Sequence, residues 1–440
     1  MIELEARLDE LEALGLRRRT RLVSGPQGPH VLVDGKPVLL LCSNNYLGLA
    51  DHPAVRQAAA DAAMRWSVGA GASRLVSGTM TIHRRLEERL AAFKGRESAL
   101  LFGSGYLANA GAVAALARPG DVVFSDQLNH ASISDGCRLS GADVFVYEHC
   151  DTDHLRWGID QAEGRGALIV TDSVFSMDGD VAPLAEVVEL AQRYGLRTLV
   201  DEAHATGVLG PGGRGALAEA ELEDQVDVIV GTLGKALGSY GAFVACDRQM
   251  ARYLLNAART FIFSTAPAPP SVAAALAALH LLEERPHRVQ KLAANAAALR
   301  GALEREGFPV SGSRTQIVPL VIGEAQGAMR ICEAALAEGV FAQAIGPPTV
   351  PPMTSRLRLA VMATHREEEL RAAARTLGSA ARAAGFDPWT RVTGAQAPPS
   401  EVELEYELEP ELEPRTAAMS STPTAGVFDF ESVPPVRRAA

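Results

Sequence analysis

The sequence predicts an α/β protein, with a mostly parallel sheet lying between helices and a smaller α+β region behind it. Two observations predict this. Short apolar runs alternate with helical patterns through the middle of the chain, and several of these runs are rich in Val, Ile and Leu on both faces. The runs also end repeatedly in polar groups, as the strand ends lining a ligand crevice do in an open parallel sheet.

The strand candidates in chain order are "SALLFGSG", "DVVFSD", "ALIVTDS", "RTLVDEAH", "DVIVGT" and "AFVAC". Each is too short for a helix. Stretches between them, such as "LAEVVELAQRYG", carry helical spacing and a glycine stop. Strand–helix alternation implies crossover connections and parallel neighbours. Before this region, "MIELEARLDELEALGL" reads as an amphipathic acidic helix. From about Ala266 the character changes: "APAPPSVAAALAALHLLEE" is a Pro-marked break and a long Ala/Leu helix. "IVPLVIG", an Ala-rich helix, "FAQAIGPPTVPP", "RLRLAVMAT" and a last helix from His365 follow. The expected organisation is residues 1–50 as a helix and extended segment, 51–279 as the large domain and 280–388 as a small domain. Residues 389–440 are expected to form a disordered acidic tail, because "EVELEYELEPELEP" lacks turns and a pairing partner.

Bulk composition narrows the function. With 440 residues, 47% hydrophobic and 22% charged, the chain fits an ordinary globular protein. A net charge of -11 and the absence of a long basic run argue against nucleic acid. No segment reaches the roughly 18 uninterrupted apolar residues of a membrane span, and the N-terminus lacks a signal peptide's apolar centre. Five scattered cysteines (Cys42, Cys137, Cys150, Cys246, Cys332) include no CxxC pair. That argues for a reducing cytoplasm and against a zinc site.

The strand ends carry the chemistry. They are Ser125–Asp126, Thr171–Asp172–Ser173, Asp201–Glu202 and Gly231–Thr232, with His130 and His204 close behind two of them. Capping explains one such acid, not the series. In "LLFGSGYLANAGAV" a strand turns through Gly103–Ser104–Gly105 into a helix, whose first N–H groups make an anion site. The spacing matches neither a Rossmann fingerprint nor a P-loop, and on its own it reads equally well as a plain strand-to-helix turn. Lys235 follows a buried run, between Gly234 and Ala236. Desolvation lowers such an amine's pKa and lets it form a Schiff base. Asp201 at a neighbouring strand end then suits a pyridine nitrogen. A lysine, an aspartate and an anion cradle are together what pyridoxal 5′-phosphate requires.

With these motifs the chain resembles the α-oxoamine synthase family of fold-type I pyridoxal-phosphate transferases. The likeness runs from about Leu16 to about Leu377 through "SNNYLGLADHP", "GAGASRLVSGT", "LLFGSGYLAN", "DQLNHASI", "VTDSVFSMDGDVAPL", "VDEAHATGVLGPGGRG", "TLGKALGSYG", "FIFSTAPAPP" and "SRLRLAVMATH". It implies a large domain with a mostly parallel seven-stranded sheet. It also implies that Lys235 holds the cofactor covalently and shuttles the α-proton, that Asp201 pairs with the ring nitrogen, and that His130 stacks on the ring. His204 and Ser176 are expected near the phenolic oxygen, with Ser104, Gly105, Tyr106 and Thr232 on the phosphate. Ser264 and Thr265 are expected to approach the phosphate from a partner subunit, which makes the protein a homodimer with shared sites. Asn44 and Arg356 are expected to hold the amino-acid carboxylate, and Arg17 to stand near the acyl entrance. "RLVSGT" favours members that condense L-alanine with a pimeloyl thioester, on coenzyme A or an acyl-carrier protein, in biotin synthesis. A relative using glycine and acetyl-CoA is the same-fold alternative; a dinucleotide-binding Rossmann protein is the other class.

Overall fold

The computed structural model describes residues 3–13, 17–310 and 312–390. The expected acidic tail lies outside the described residues, apart from Trp389 and Thr390.

The strands are β1 (Val23–Ser24), β2 (His30–Val33), β3 (Lys36–Leu40), β4 (Ser98–Phe102), β5 (Val122–Asp126), β6 (Asp143–Tyr147) and β7 (Gly166–Asp172). They continue as β8 (Arg197–Asp201), β9 (Val228–Thr232), β10 (Ala242–Cys246), β11 (Ile317–Gly323), β12 (Val340–Phe341), β13 (Gln343–Ile345) and β14 (Ser355–Ala360). The central sheet has seven strands in the order β4-β10-β9-β8-β7-β5-β6. Every neighbour in it is parallel except β10, which runs antiparallel to β4 and β9.

Six of these strands are the six apolar runs of the sequence. The seventh, β6, was not among them. It lies at the sheet edge, and Val144 and Val146 are 40% and 54% exposed, so its residues need no continuous apolar run. Along the strands other than β6, alternate residues enter two cores. Leu100, Val123, Val170, Leu199, Val230 and Val244 pack on one face, with the helices Gly105–Leu116 and Arg248–Ala257. Leu101, Val200, Ile229, Phe243 and Ala245 pack on the other. At Gly231 the Phe243 ring of β10 leaves no room for a side chain, since a Cβ there would stand 2.3 Å from it.

The N-terminal helix, Leu4–Ala13, buries none of its residues, so its expected apolar face covers nothing among the described residues. β1, β2 and β3 form an antiparallel meander, and β12 joins β3 in parallel, so the first fifty residues share a sheet with the C-terminal region. The remaining sheet is β11-β14-β13. The expected division at 279/280 falls inside the helix Pro269–Glu284. No helix among the described residues is long and apolar enough to cross a membrane.

Candidate active site

Four parallel neighbours end in polar residues: β5 in Asp126, β7 in Asp172, β8 in Asp201 and β9 in Thr232. Asp172 and Asp201 are direct register partners. Their side chains therefore meet at one end of the sheet, as the sequence pattern implied.

Lys235 stands in the turn between β9 and β10. Gly238 shapes this turn, at φ +60°, with no room for a Cβ against Ala50 N at 2.3 Å. The Lys235 Nζ is 3.0 Å from His204 Nε2. Burial pushes its ammonium below the ordinary lysine range, with the Arg358 guanidinium acting the same way, while Asp201 and Asp172 oppose the shift. His204 is buried, and burial with Lys235 and Arg358 holds it well below the usual imidazole range. Its Nδ1 is 2.6 Å from Tyr46 Oη, and Tyr46 donates to Asn44 Oδ1 at 3.0 Å. A neutral His204 with its proton on Nδ1 satisfies every partner: Nδ1–H donates to Tyr46, and Nε2 accepts from Lys235.

Asp201 Oδ2 accepts from Asn109 Nδ2 at 2.6 Å, and Oδ1 from the Ala203 N–H at 2.7 Å. Asp172 Oδ2 accepts from the His130 N–H at 2.8 Å. Burial, and then the charge of Asp201, raise the Asp172 carboxyl well above its usual range. His130 caps the helix Ala131–Ser140 and is exposed, with Nδ1 2.7 Å from Ser132 Oγ. Protein packed around the ring partly desolvates it although one face stays open, and this lowers its pKa against the pull of Asp201.

Ser104 caps the helix Gly105–Leu116, its Oγ accepting from the Leu107 N–H at 3.2 Å. Among the described residues the N–H groups of Gly105 and Tyr106 have no acceptor, and a Cβ on Gly105 would meet nothing within 4 Å. That is an open anion site at a helix start. Thr232 Oγ1 donates to the Gly241 carbonyl and accepts from the Gly234 N–H, both at 3.2 Å. The Tyr106 hydroxyl donates to Asp135.

The remaining expected residues divide. Asn44 joins the cluster, but through a different arginine. Arg358 Nη1 donates to Asn44 Oδ1 at 3.2 Å, Nη2 to Tyr46 Oη at 3.4 Å, and Nε to the Ser176 carbonyl. Arg356, two residues earlier on β14, is ion-paired with Asp178 and bonded to Thr354. Arg17 pairs with Glu12 and makes no bond to this cluster. Thr265 bridges Ser73, and neither it nor Ser264 bonds to the Lys235 group. The sequence singled out none of Tyr46, Asn109 and Arg358, which the structure bonds to the expected residues His204, Asp201 and Asn44, and it named Asp172 only as a strand end. Tyr46 lies two residues from Asn44 and Arg358 two from Arg356, so the signal was adjacency on the same strand face or loop.

An amine, two carboxylates, an open imidazole and a helix-start anion site together match a flat aldehyde that carries a phosphate. The aminotransferase class I and II family model matches residues 36–377. The 8-amino-7-oxononanoate synthase of Geobacter sulfurreducens is 52% identical over 82% of this chain and 94% of its own length. Serine palmitoyltransferase, solved with a pyridoxal-phosphate internal aldimine, superposes with a TM-score of 0.83 at 32% identity, covering 87% of this chain and 97% of that one. A structure of 8-amino-7-oxononanoate synthase from Francisella tularensis gives a TM-score of 0.69 at 25% identity, covering 79% and 99%. The family model spans most of the chain and the synthase relative is covered almost end to end, so the chain belongs to the aminotransferase class I and II family and groups there with the 8-amino-7-oxononanoate synthases.

Proposed function

We propose that this chain joins L-alanine to a pimeloyl thioester, releasing carbon dioxide and the free thiol and giving 8-amino-7-oxononanoate for biotin synthesis. One observation carries this reading. Lys235, Asp201 and the open N–H groups of Gly105 and Tyr106 converge at one end of the sheet, in a chain 52% identical to a synthase of that name.

The cofactor is pyridoxal 5′-phosphate, and the residues fit it. Lys235 offers a primary amine for the aldehyde, Asp201 a carboxylate for the ring nitrogen, and His130 a flat face. Gly105 and Tyr106, with Ser104 and Thr232, take the phosphate. When bound, the cofactor supplies a ring that takes up the electron pair freed at the amino acid's α-carbon. Lys235, its pKa lowered by burial, accepts the α-proton and later returns one to the product. Asn109 and the Ala203 N–H fix the Asp201 carboxylate, which would pair with the ring nitrogen. His204, with Ser176, serves the phenolic oxygen, and Tyr46 holds its tautomer. Arg358, already bonded to Asn44, holds the alanine carboxylate in a planar fork.

The working unit is a homodimer. Exposed Val76 and Phe263 flank the Ser73–Thr265 bridge, and exposed Tyr240 lies in the lysine turn, which supports a subunit contact bringing Ser264 and Thr265 to a neighbouring site. The test is product mass from purified holoenzyme. Alanine should react with pimeloyl-CoA or the pimeloyl carrier protein far faster than glycine reacts with acetyl-CoA. Preferred turnover of the glycine pair refutes the substrate assignment, and a protein without a visible cofactor band refutes the chemistry.

A further inference from the structure

Outside the lysine cluster, four side chains with metal-binding atoms converge where β5 and β6 end against the turn 174–181. Asp126 closes β5, and His149 and Cys150 follow β6. Asp180 sits in the turn that the Val174–Val181 bridge closes. His149 Nδ1 is 2.9 Å from Asp126 Oδ1, and Nε2 is 2.7 Å from Asp180 Oδ2. Cys150 Sγ lies 3.6 Å from His149 Nε2 and 4.0 Å from Asp180 Oδ2. Donor atoms of Asp126, His149 and Cys150 all fall within 4.8 Å of one another. The cysteine backbone is held at φ +57°, in the left-handed region, with its N–H on Asp126 Oδ2 at 2.9 Å. Phe175 meets the imidazole edge-on at 4.3 Å. The spacing of cysteines along the chain argues against zinc, yet folding brings Asp180 thirty positions back to Cys150.

We propose that His149 Nε2, Cys150 Sγ and Asp180 Oδ2 form a binding site for a divalent transition metal of the zinc class, with Asp126 orienting the imidazole from Nδ1. Around a tetrahedral zinc, bonds of about 2.0–2.3 Å set sulfur–nitrogen and sulfur–oxygen edges of about 3.6 Å and a nitrogen–oxygen edge of about 3.3 Å. The sulfur–nitrogen edge has that length, but Sγ is also 3.8 Å from Nδ1, so the sulfur lies beside the ring and must swing about the Cys150 side-chain torsion toward the Nε2 side. From 4.0 Å the sulfur–oxygen edge closes by about 0.4 Å, and from 2.7 Å the nitrogen–oxygen edge opens by about 0.6 Å. These are side-chain torsions, not backbone moves. Two protons leave on binding: the Nε2 hydrogen now shared with Asp180, and the thiol hydrogen of Cys150. The Nδ1 hydrogen stays on the ring and donates to Asp126, the usual carboxylate–imidazole–metal arrangement. Thiolate and imidazole donors select zinc or cobalt over magnesium or calcium. A water completes the fourth position, and Asp180 Oδ1, buried without a partner, is free to accept from it.

The site is coupled to the candidate active site at both ends. Asp126 Oδ1 also accepts from the Leu128 N–H at 2.8 Å, in the loop leading to His130. Asp178, two residues before Asp180, holds Arg356.

The experiment uses the full-length, cofactor-loaded chain, stripped of metal and titrated with cobalt(II). The expected result is about one cobalt per chain with the strong visible d–d bands of a tetrahedral thiolate site, displaced by zinc and absent from Cys150→Ala. Zinc should raise the melting temperature of the wild type and not of Cys150→Ala. Should that variant lose its circular dichroism signal, Asp180→Asn takes its place and should weaken cobalt binding at least tenfold. No tetrahedral spectrum in the wild type, or the same spectrum and stoichiometry in the variant, overturns the proposal and leaves His149 as an imidazolium clamped by two carboxylates.

Discussion

Replacing Arg358 by lysine probes the substrate end of the site most sharply. Arg358 is 7% exposed, and its guanidinium spreads its nitrogens over Asn44, Tyr46 and the Ser176 carbonyl. A planar fork gives a carboxylate two parallel charge-assisted bonds, whereas an ammonium is a point charge with no fixed pair. Losing one such bond costs about 1.5–3 kcal/mol. At about 1.4 kcal/mol per decade, that is a rise of roughly 10- to 140-fold in KM for alanine. The KM for the pimeloyl donor should hardly move. Arg356→Lys should leave the alanine KM near wild type, because Asp178 already neutralises that guanidinium in an ion pair, whereas the partners of Arg358 are all uncharged. The assay is steady-state kinetics with alanine varied, joined to a spectral titration of alanine binding and a melting curve for each variant. A larger KM effect in Arg356→Lys than in Arg358→Lys would refute the assignment.

Three further outcomes follow from the same geometry. Lys235→Ala should fold, lose turnover, and lose the visible band that borohydride alters in the wild type; a retained borohydride-sensitive band would place the reactive amine elsewhere. His365 is fully buried, its Nδ1 accepting from the Met362 N–H at 3.0 Å and its Nε2 bonded to the Leu40 carbonyl at 3.1 Å, and burial pushes it down to about 4. Below the usual imidazole value of 6.5 the unfolded chain binds the extra proton, so stability falls as pH drops from there to about 4. The full gap is worth about 3 kcal/mol. Urea denaturation of His365→Gln should show a flatter pH dependence across that window, and an unchanged slope would count against it. Arg74 donates to both oxygens of buried Glu87, at 2.8 and 3.1 Å. Arg74→Met strands that carboxylate and should cost about 3–5 kcal/mol in urea denaturation; a loss under about 1 kcal/mol would show that water or the Leu101 N–H suffices.

The lysine and aspartate were legible because their signal is local. A run buried on both faces that ends in a polar group must be an inner strand opening on a crevice, and four such runs in series place their ends together. The strand-to-helix turn was legible for the same reason, since Gly103–Ser104–Gly105 is contiguous, although its spacing alone did not separate an anion site from a plain turn. β6 was not legible, because an edge strand with exposed Val144 and Val146 need not show a buried strand's pattern.

Sequence alone therefore determined the sheet's inner strands, the chemistry at their ends and the family. Tertiary structure decided which of two arginines on one strand face bonds to Asn44 and Tyr46. Arg356 and Arg358 point to the same side of β14, and no local pattern separates them. The turn 174–181 does so, by placing Asp178 against the first and the Ser176 carbonyl against the second. It also decided that Asp180 meets His149 and Cys150. Such pairings depend on where distant loops cross, and a crossing is set by the packing of the strands and helices that carry the loops, not by the residues of either loop.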